Sequence, residues 1–329
     1  MVLRRFLLLL LSFSLIVFVG CSDDDDEDVD EFALMTEVGD EYFTNYTTPG
    51  GVSPNISITE LKGLIDADED LFIIDWRSSA DYNAKHIIGA ENMSIMNLVS
   101  NWDMLPTDKT IINVCYTGQT ASHATALMNM CGLEARNLLF GMCSIAADDD
   151  IIPGTERWLN AKKDTYLNDL EQDTNTPTET FDFPTVDTGE ENAPAIMKEQ
   201  FETYLADVGG WAIFGNYADL FANPDDYFIV NYWPTSEYED PGHIPGAYCF
   251  TPKGSLEAGE MLNMLPTDKN IVVYCYTGQT SAQVAAYLRV LGYPAWSLAY
   301  GINGFATSAM PRYSAPDDAT TQSLMSILE

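Results

Sequence analysis

Short, unbroken apolar runs alternate with longer stretches of mixed polarity along most of the chain. In the first half the runs are Leu71-Phe72-Ile73-Ile74 and Ile111-Ile112-Asn113-Val114. In the second half they are Tyr227-Phe228-Ile229-Val230 and Ile271-Val272-Val273-Tyr274. Their length and continuity are those of strands covered on both faces. Residues 58–65, 120–130 and 281–291 read as helices, and Gly132 and Gly292 close the last two as a C′ glycine would. Strands and helices in alternation predict a parallel sheet flanked by helices, an α/β fold.

The pattern occurs twice. Met104-Leu105-Pro106-Thr107-Asp108-Lys109 returns 160 positions later as Met264-Leu265-Pro266-Thr267-Asp268-Lys269. Cys115-Tyr116-Thr117-Gly118-Gln119-Thr120 returns at the same offset as Cys275-Tyr276-Thr277-Gly278-Gln279-Thr280. His86-Ile87-Ile88-Gly89-Ala90 returns 157 positions on as His243-Ile244-Pro245-Gly246-Ala247. Such an offset marks a domain duplication, since solenoid repeats run only about 20–50 residues. Residues 171–194, rich in Thr, Pro, Asp and Glu, read as an extended or disordered linker. The expected division is a leader at 1–20, an acidic tether at 21–51, domain one at 52–170, the linker, domain two at 195–313 and a tail at 314–329.

The leader carries Arg4 and Arg5 ahead of an apolar run from Phe6 to Val19, short for a membrane span but suited to a signal h-region. It ends in Phe18-Val19-Gly20-Cys21, which resembles the lipobox of bacterial lipoproteins, where the cysteine is lipidated (palmitate) and becomes the new N-terminus. An ordinary cleaved signal peptide with a chance cysteine is the alternative. The acidic run Ser22-Asp23-Asp24-Asp25-Asp26-Glu27-Asp28 reads either as a solvated tether or as a tract resembling those that send lipoproteins to the cell surface in two-membrane bacteria. The expected location is the bacterial envelope, anchored through lipid at Cys21, in the outer membrane or at the cell surface.

Charge narrows the partners. Fifty acidic residues stand against 15 basic ones, for a formal net charge of −35. Such a surface repels phosphate backbones and anionic head groups, which argues against nucleic-acid binding and membrane docking through a basic patch. Six cysteines without CxxC spacing and three histidines without HxxxH spacing give no structural zinc site. No metal and no cofactor is expected.

The chemistry should lie in the duplicated cysteine loops. Each cysteine directly follows an apolar strand and is one short polar loop from a helix. Ligands of open parallel sheets bind at the carboxyl ends of strands. A tight loop there turns successive N–H groups inward as an anion nest, and the helix N-terminus adds partial positive charge. A thiol at the mouth of that nest should have a lowered pKa. One buried cysteine would read as a small core residue. The hexapeptide is kept twice while its flanks differ, Ala121-Ser122-His123 against Ser281-Ala282-Gln283, which favours function.

These residues resemble the rhodanese family. The resemblance rests on the Cys-x-x-Gly loop after a strand, Gly242-His243-Ile244-Pro245-Gly246-Ala247, Asp75-Trp76-Arg77 and Tyr300-Gly301-Ile302-Asn303-Gly304-Phe305. It implies two rhodanese-like domains in tandem, each a parallel sheet flanked by helices. It implies a sulfurtransferase in which Cys275 and Cys115 accept sulfane sulfur as a persulfide and pass it to a thiol acceptor. The amides of Tyr116, Thr117, Gly118, Gln119 and Thr120, and of Tyr276, Thr277, Gly278, Gln279 and Thr280, would cradle the persulfide or a small sulfur-containing anion.

The departures are informative. The family's loop often reads Cys-x-x-Gly-x-Arg, and here Thr120 or Thr280 takes the last place, which weakens the case for a doubly charged donor such as thiosulfate. Thr can still donate one neutral hydrogen bond or cap the helix. Related phosphatases use Cys-x5-Arg, whereas Ala121 and Ser281 stand at that distance, excluding phosphatase chemistry. Copy two has Asn231-Tyr232-Trp233 in place of Asp75-Trp76-Arg77, and copy one has Phe140-Gly141-Met142-Cys143 in place of a Gly-rich closing segment. Copy two keeps more of the loop-side motifs, which favours Cys275.

Among smaller features, His86 and His243 read as structural and His123 as a residue that could tune Cys115. Trp76, Trp233 and Trp296 read as core, and Asp148-Asp149-Asp150 as a solvated turn. Cys131, Cys143 and Cys249 read as core residues, with a resolving role by disulfide as the alternative. Two other functions stay open beside sulfur transfer: a non-catalytic scaffold in the envelope, and thiol–disulfide exchange.

Overall fold

The computed structural model describes residues 29–311 and 324–329. The Cys21 and acidic-run readings lie outside these residues. No helix among the described residues is long and apolar enough to cross a membrane.

The chain opens with α1 (Glu31–Asn45), β1 (Asn55–Ile56), α2 (Ile58–Asp66), β2 (Leu71–Asp75), α3 (Ser79–Ala84) and β3 (Glu91–Asn92). It continues with β4 (Thr110–Val114), α4 (Gln119–Met130), β5 (Ala135–Leu138) and α5 (Glu156–Ala161). After the linker come α6 (Ala193–Val208), β6 (Ile213–Phe214), α7 (Tyr217–Ala222), β7 (Phe228–Asn231), α8 (Thr235–Glu239), β8 (Tyr248–Cys249), β9 (Ile271–Tyr274), α9 (Gln279–Val290) and β10 (Ala295–Leu298). Two five-stranded sheets result, in the equivalent orders β1-β5-β4-β2-β3 and β6-β10-β9-β7-β8. Every strand pair in them is parallel. The two expected α/β domains are therefore present, each a parallel sheet with helices.

The strands alternate between two buried faces. In β4, Ile111 joins a core shared by both domains, while Ile112 and Val114 join the outer core of domain one. In β9, Ile271 and Val273 face the shared core, and Val272 and Tyr274 face the outer core of domain two. Residues from α1, α4, α6 and α9 fill the shared core, so the domains are joined by apolar burial and not only by a linker.

Four expected boundaries need correction. The tether reading of 21–51 fails at Glu31, where α1 begins, capped by the Asp30 carboxylate accepting from Ala33 N at 2.9 Å. Met35, Tyr42 and Phe43 on α1 are buried in the shared core. Domain one does not extend to 170: Tyr166, Leu167 and Leu170 pack on the outer core of domain two. The 314–329 tail is not free either, since Leu324 and Ile327 are buried in the outer core of domain one. Residues 171–192 are extended, as read, and lie against the protein. Phe183 stacks on Phe32 at 4.7 Å, and the buried Glu31 carboxylate accepts from Thr188 N and Gly189 N. The linker reading runs two residues too far, because α6 starts at Ala193.

Trp76 and Trp233 are core residues, but Trp296 is only partly buried, under the Arg289 guanidinium at 4.7 Å.

Candidate active site at the paired cysteine loops

Cys115 follows the last residue of β4, and Cys275 follows β9, each on a strand inside its sheet. The next helix begins four residues later in both. The N-cap positions are Gly118 (φ 78°) and Gly278 (φ 76°), both left-handed, and neither helix has a side-chain cap. Glycine adopts that conformation without steric cost. With no capping side chain, the first-turn amides are left to the sulfur.

Around Cys115, Gly118 N and Ala121 N donate to Sγ at 3.1 and 3.4 Å. Around Cys275, Ser281 N donates at 3.3 Å and the Ser281 hydroxyl lies 3.5 Å from Sγ. The expected nest is met in part: at Cys115 the Gly118 amide belongs to the predicted stretch and Ala121 lies one residue beyond it, whereas at Cys275 the amide that bonds sulfur, Ser281 N, lies just past residues 276–280. The expected low thiol pKa is overturned at Cys115: burial pushes that thiol up, and the amides of Ala121, Thr117, Gly118 and Thr120 offset only part of the cost. The sequence carries the nest but not its depth, and Cys115 and Cys275 are 1% and 2% exposed.

The depth comes from the other domain. Gln119 Oε1 accepts from Tyr300 N at 2.6 Å, and Gln279 Oε1 accepts from Phe140 N at 2.8 Å. A Cβ at Gly118 would stand 2.2 Å from Gln279 Oε1, and one at Gly278 would stand 2.5 Å from Gln119 Oε1. Each loop thus receives the other's glutamine against its glycine. A second brace sits behind: Met142 N and Ile302 N donate to the Cys115 and Cys275 carbonyls at 2.8 and 3.1 Å. The cavity of about 420 Å³ between the linker and domain two, lined by Phe181, Phe228 and Tyr248 among others, includes neither cysteine.

The other loop side chains diverge. Thr117 Oγ1 accepts from Gln119 Nε2 at 2.9 Å. The Tyr116 hydroxyl bonds the Asp81 carboxylate, and Arg157 lies 4.2 Å from its ring centre. Tyr276 bonds Glu237 and stacks on Trp233 at 5.1 Å. Thr120 and Thr280 are partly exposed and cap neither helix. The Tyr46 hydroxyl lies 3.5 Å from Thr280 Oγ1 and accepts from Asn55 Nδ2 at 3.1 Å.

The sequence reading missed Tyr46, Ser281 as a sulfur partner and the reach of the two glutamine side chains. Tyr46 lay inside the stretch read as tether. The glutamines lay inside the repeated hexapeptide, but their importance was placed on the backbone. His123 has no bond to Cys115. It is fully buried, its Nδ1 bonds the Gln119 carbonyl at 3.1 Å, and burial drives its pKa down to about 4. Cys115, Cys131, Cys143, Cys249 and Cys275 are all free. Asp148-Asp149-Asp150 is a turn, and no group of three or more potential metal ligands occurs among the described residues.

The rhodanese-like domain model matches residues 57–147 and 217–308. A thiosulfate sulfurtransferase from Pseudomonas aeruginosa is similar at 18% identity over 87% of this chain and 49% of that one, with a TM-score of 0.29. A rhodanese-related protein from Thermoplasma volcanium is similar at 23% identity over 27% of this chain and 85% of its own (TM-score 0.25). A rhodanese-like domain protein from Staphylococcus aureus is similar at 20% over 27% and 86% (TM-score 0.26). No curated protein matches the chain.

Proposed function

The chain belongs to the rhodanese-like domain family, and from that premise we propose that it is a sulfurtransferase or persulfide carrier working through Cys115 or Cys275. The observation that carries the reading is that backbone amides point at Sγ in both loops, those of Gly118 and Ala121 at Cys115 and that of Ser281 at Cys275. A thiolate attacks the outer sulfur of a persulfide or polysulfide, forming an Sγ–S bond as the donor's S–S bond breaks and its thiolate leaves. In the return step an acceptor thiolate takes that outer sulfur and the cysteine leaves as thiolate. The amides stabilise the anion at each stage.

The loop composition supports a neutral or singly charged donor. Thr120 and Thr280 offer no guanidinium fork for two sulfonate oxygens. Arg157 stands over the Tyr116 ring instead of in the nest. Ser281, with its hydroxyl beside Sγ, supports Cys275 as the more readily activated copy. The lipobox-like Val19-Gly20-Cys21 and the acidic run after it support an envelope location with lipid at Cys21.

The burial of both thiols favours a second reading, a non-catalytic scaffold. Mass spectrometry after incubation with polysulfide separates the two. Sulfur transfer expects a gain of about 32 Da on the peptide holding Cys275 or Cys115. It also expects loss of that gain in Cys275→Ala or Cys115→Ala, respectively. At Cys115 labelling should rise with pH past the usual thiol range, because burial holds that thiol protonated. No added sulfur at either cysteine with any sulfane donor overturns sulfur transfer and leaves the scaffold.

A further inference from the structure

Each domain has the same loop ahead of its edge strand, and each loop holds a short turn-rich segment distant in sequence, 3-10 helical at Met325–Ile327 in the one held by domain one. In domain two, Glu171 N donates to His243 O and His243 N to Glu171 O, both at 2.8 Å. The Glu171 carboxylate then folds over the loop. Its Oε2 accepts from Gly246 N at 2.8 Å and lies 3.5 Å from His243 Nε2. In domain one, His86 N donates to Glu329 O and Glu329 N to His86 O, both at 3.0 Å. Glu329 Oε1 accepts from Gly89 N at 2.9 Å and lies 3.5 Å from His86 Nε2.

The held segments are related, though too weakly to notice as a repeat. Tyr166-Leu167-Asn168-Asp169-Leu170-Glu171 and Leu324-Met325-Ser326-Ile327-Leu328-Glu329 lie 158 positions apart and share an apolar start and a closing Leu-Glu. In both, the apolar residues enter an outer core, and the glutamate is read by a glycine N–H and a histidine ring. The straps are crossed. The one that follows domain one lies on domain two, and the one that follows domain two lies on domain one.

We infer that loops 86–89 and 243–246 are equivalent peptide-binding clasps, distinct from the cysteine loops, which read a helical-turn segment closing in Leu-Glu. Residues 324–329 are the ligand of the clasp on domain one. The isolated backbone bridge sets the chain direction, the apolar residues supply burial, and the carboxylate contacts select glutamate. The clasp on domain one has one donor more than its counterpart: Ile88 N bonds Ile327 O at 2.8 Å, where domain two has Pro245.

The test is peptide binding in trans by fluorescence anisotropy. A full-length Leu328→Asp, Glu329→Lys variant should vacate the clasp and bind a labelled, amidated peptide of residues 324–329. The wild-type chain, already occupied, should bind it at least about tenfold more weakly. A Glu329→Gln peptide should lose about tenfold, and an unlabelled peptide of residues 166–171 should displace the label. A folded variant that binds no peptide, or binds the Gln peptide equally well, overturns the inference. Should the double variant fail to fold, hydrogen exchange on full-length Glu329→Gln decides. The Gly89 amide should exchange about tenfold faster than in wild type, and an unchanged rate overturns the reading of glutamate.

Discussion

Cys115 and Cys275 hold the same place in two domains but keep different company. Cys115 is bonded by two backbone amides, and burial holds it protonated; Cys275 has one amide and a hydroxyl. A similar asymmetry lies two residues further along each helix, where domain one has His123 and domain two has Gln283. His123 is fully buried and its Nε2 has no partner. Burial lowers its pKa to about 4, the bond to the Gln119 carbonyl works the other way, and the Arg289 charge adds to the lowering. An unfolded histidine takes its proton near 6.5. As pH falls from there toward 4, the unfolded chain binds a proton that the folded chain refuses. Stability present above the unfolded value is therefore lost, by up to about 1.4 kcal/mol per pH unit from this one group. Asp40 acts in the opposite sense, since burial raises its carboxyl to about 6 and the folded state binds that proton first. The measurement is thus a difference. His123→Gln should flatten the fall in the urea midpoint between pH 6.5 and pH 4 relative to wild type. Parallel curves for the two proteins would mean that His123 is not held neutral in the fold.

At the scale of elements, the parts legible in the sequence are those whose cause is local. The strand runs, the helices after each cysteine and the glycines that close them all follow from neighbouring residues, and all lie where the pattern puts them. The cysteine loop was legible for the same reason, because one hexapeptide builds it, although the Ala121 and Ser281 amides at sulfur lie just past that hexapeptide. What was not legible depends on distant chain. Phe32, Met35, Tyr42 and Phe43 have helical spacing, but they follow a run of acidic residues, and Tyr287, the partner of Phe43, is more than 200 positions away. The crossed straps were hidden in the same way, since each meets its own clasp in the other domain. α1 lies outside both stretches matched by the family model, yet Phe43 is buried with its ring centre 5.1 Å from that of Tyr287. Phe43→Ala should therefore cost about 3–5 kcal/mol in chemical denaturation, as a core truncation does. A loss below about 1 kcal/mol would show that α1 rests on the surface of a core complete without it.

At the scale of the molecule, the two cysteine loops are one arrangement. Gln279 belongs to the loop of domain two, but its carbonyl oxygen is spent on Phe140 N and on Asn137 Nδ2, at 2.8 and 3.2 Å. Phe140 leads into Gly141 and Met142, and Met142 N holds the Cys115 carbonyl. Gln119 does the same in reverse, through Tyr300 to Ile302 N and the Cys275 carbonyl. Each thiol is thus braced by a side chain that the opposite domain supplies. The consequence is a crossed phenotype. Gln279→Ala removes two hydrogen bonds on the domain-one side and leaves Phe140 N without its acceptor, a loss of about 1–3 kcal/mol to that brace. It should raise the alkylation rate of Cys115 several-fold while changing that of Cys275 less. Gln119→Ala should do the opposite, and the two effects should appear together in the double variant. Rates of iodoacetamide labelling, read peptide by peptide, decide this without any assumption about sulfur donors. If each substitution loosens only the cysteine of its own loop, the domains act as independent sites that share a core. If the effects cross, the unit of function is the pair.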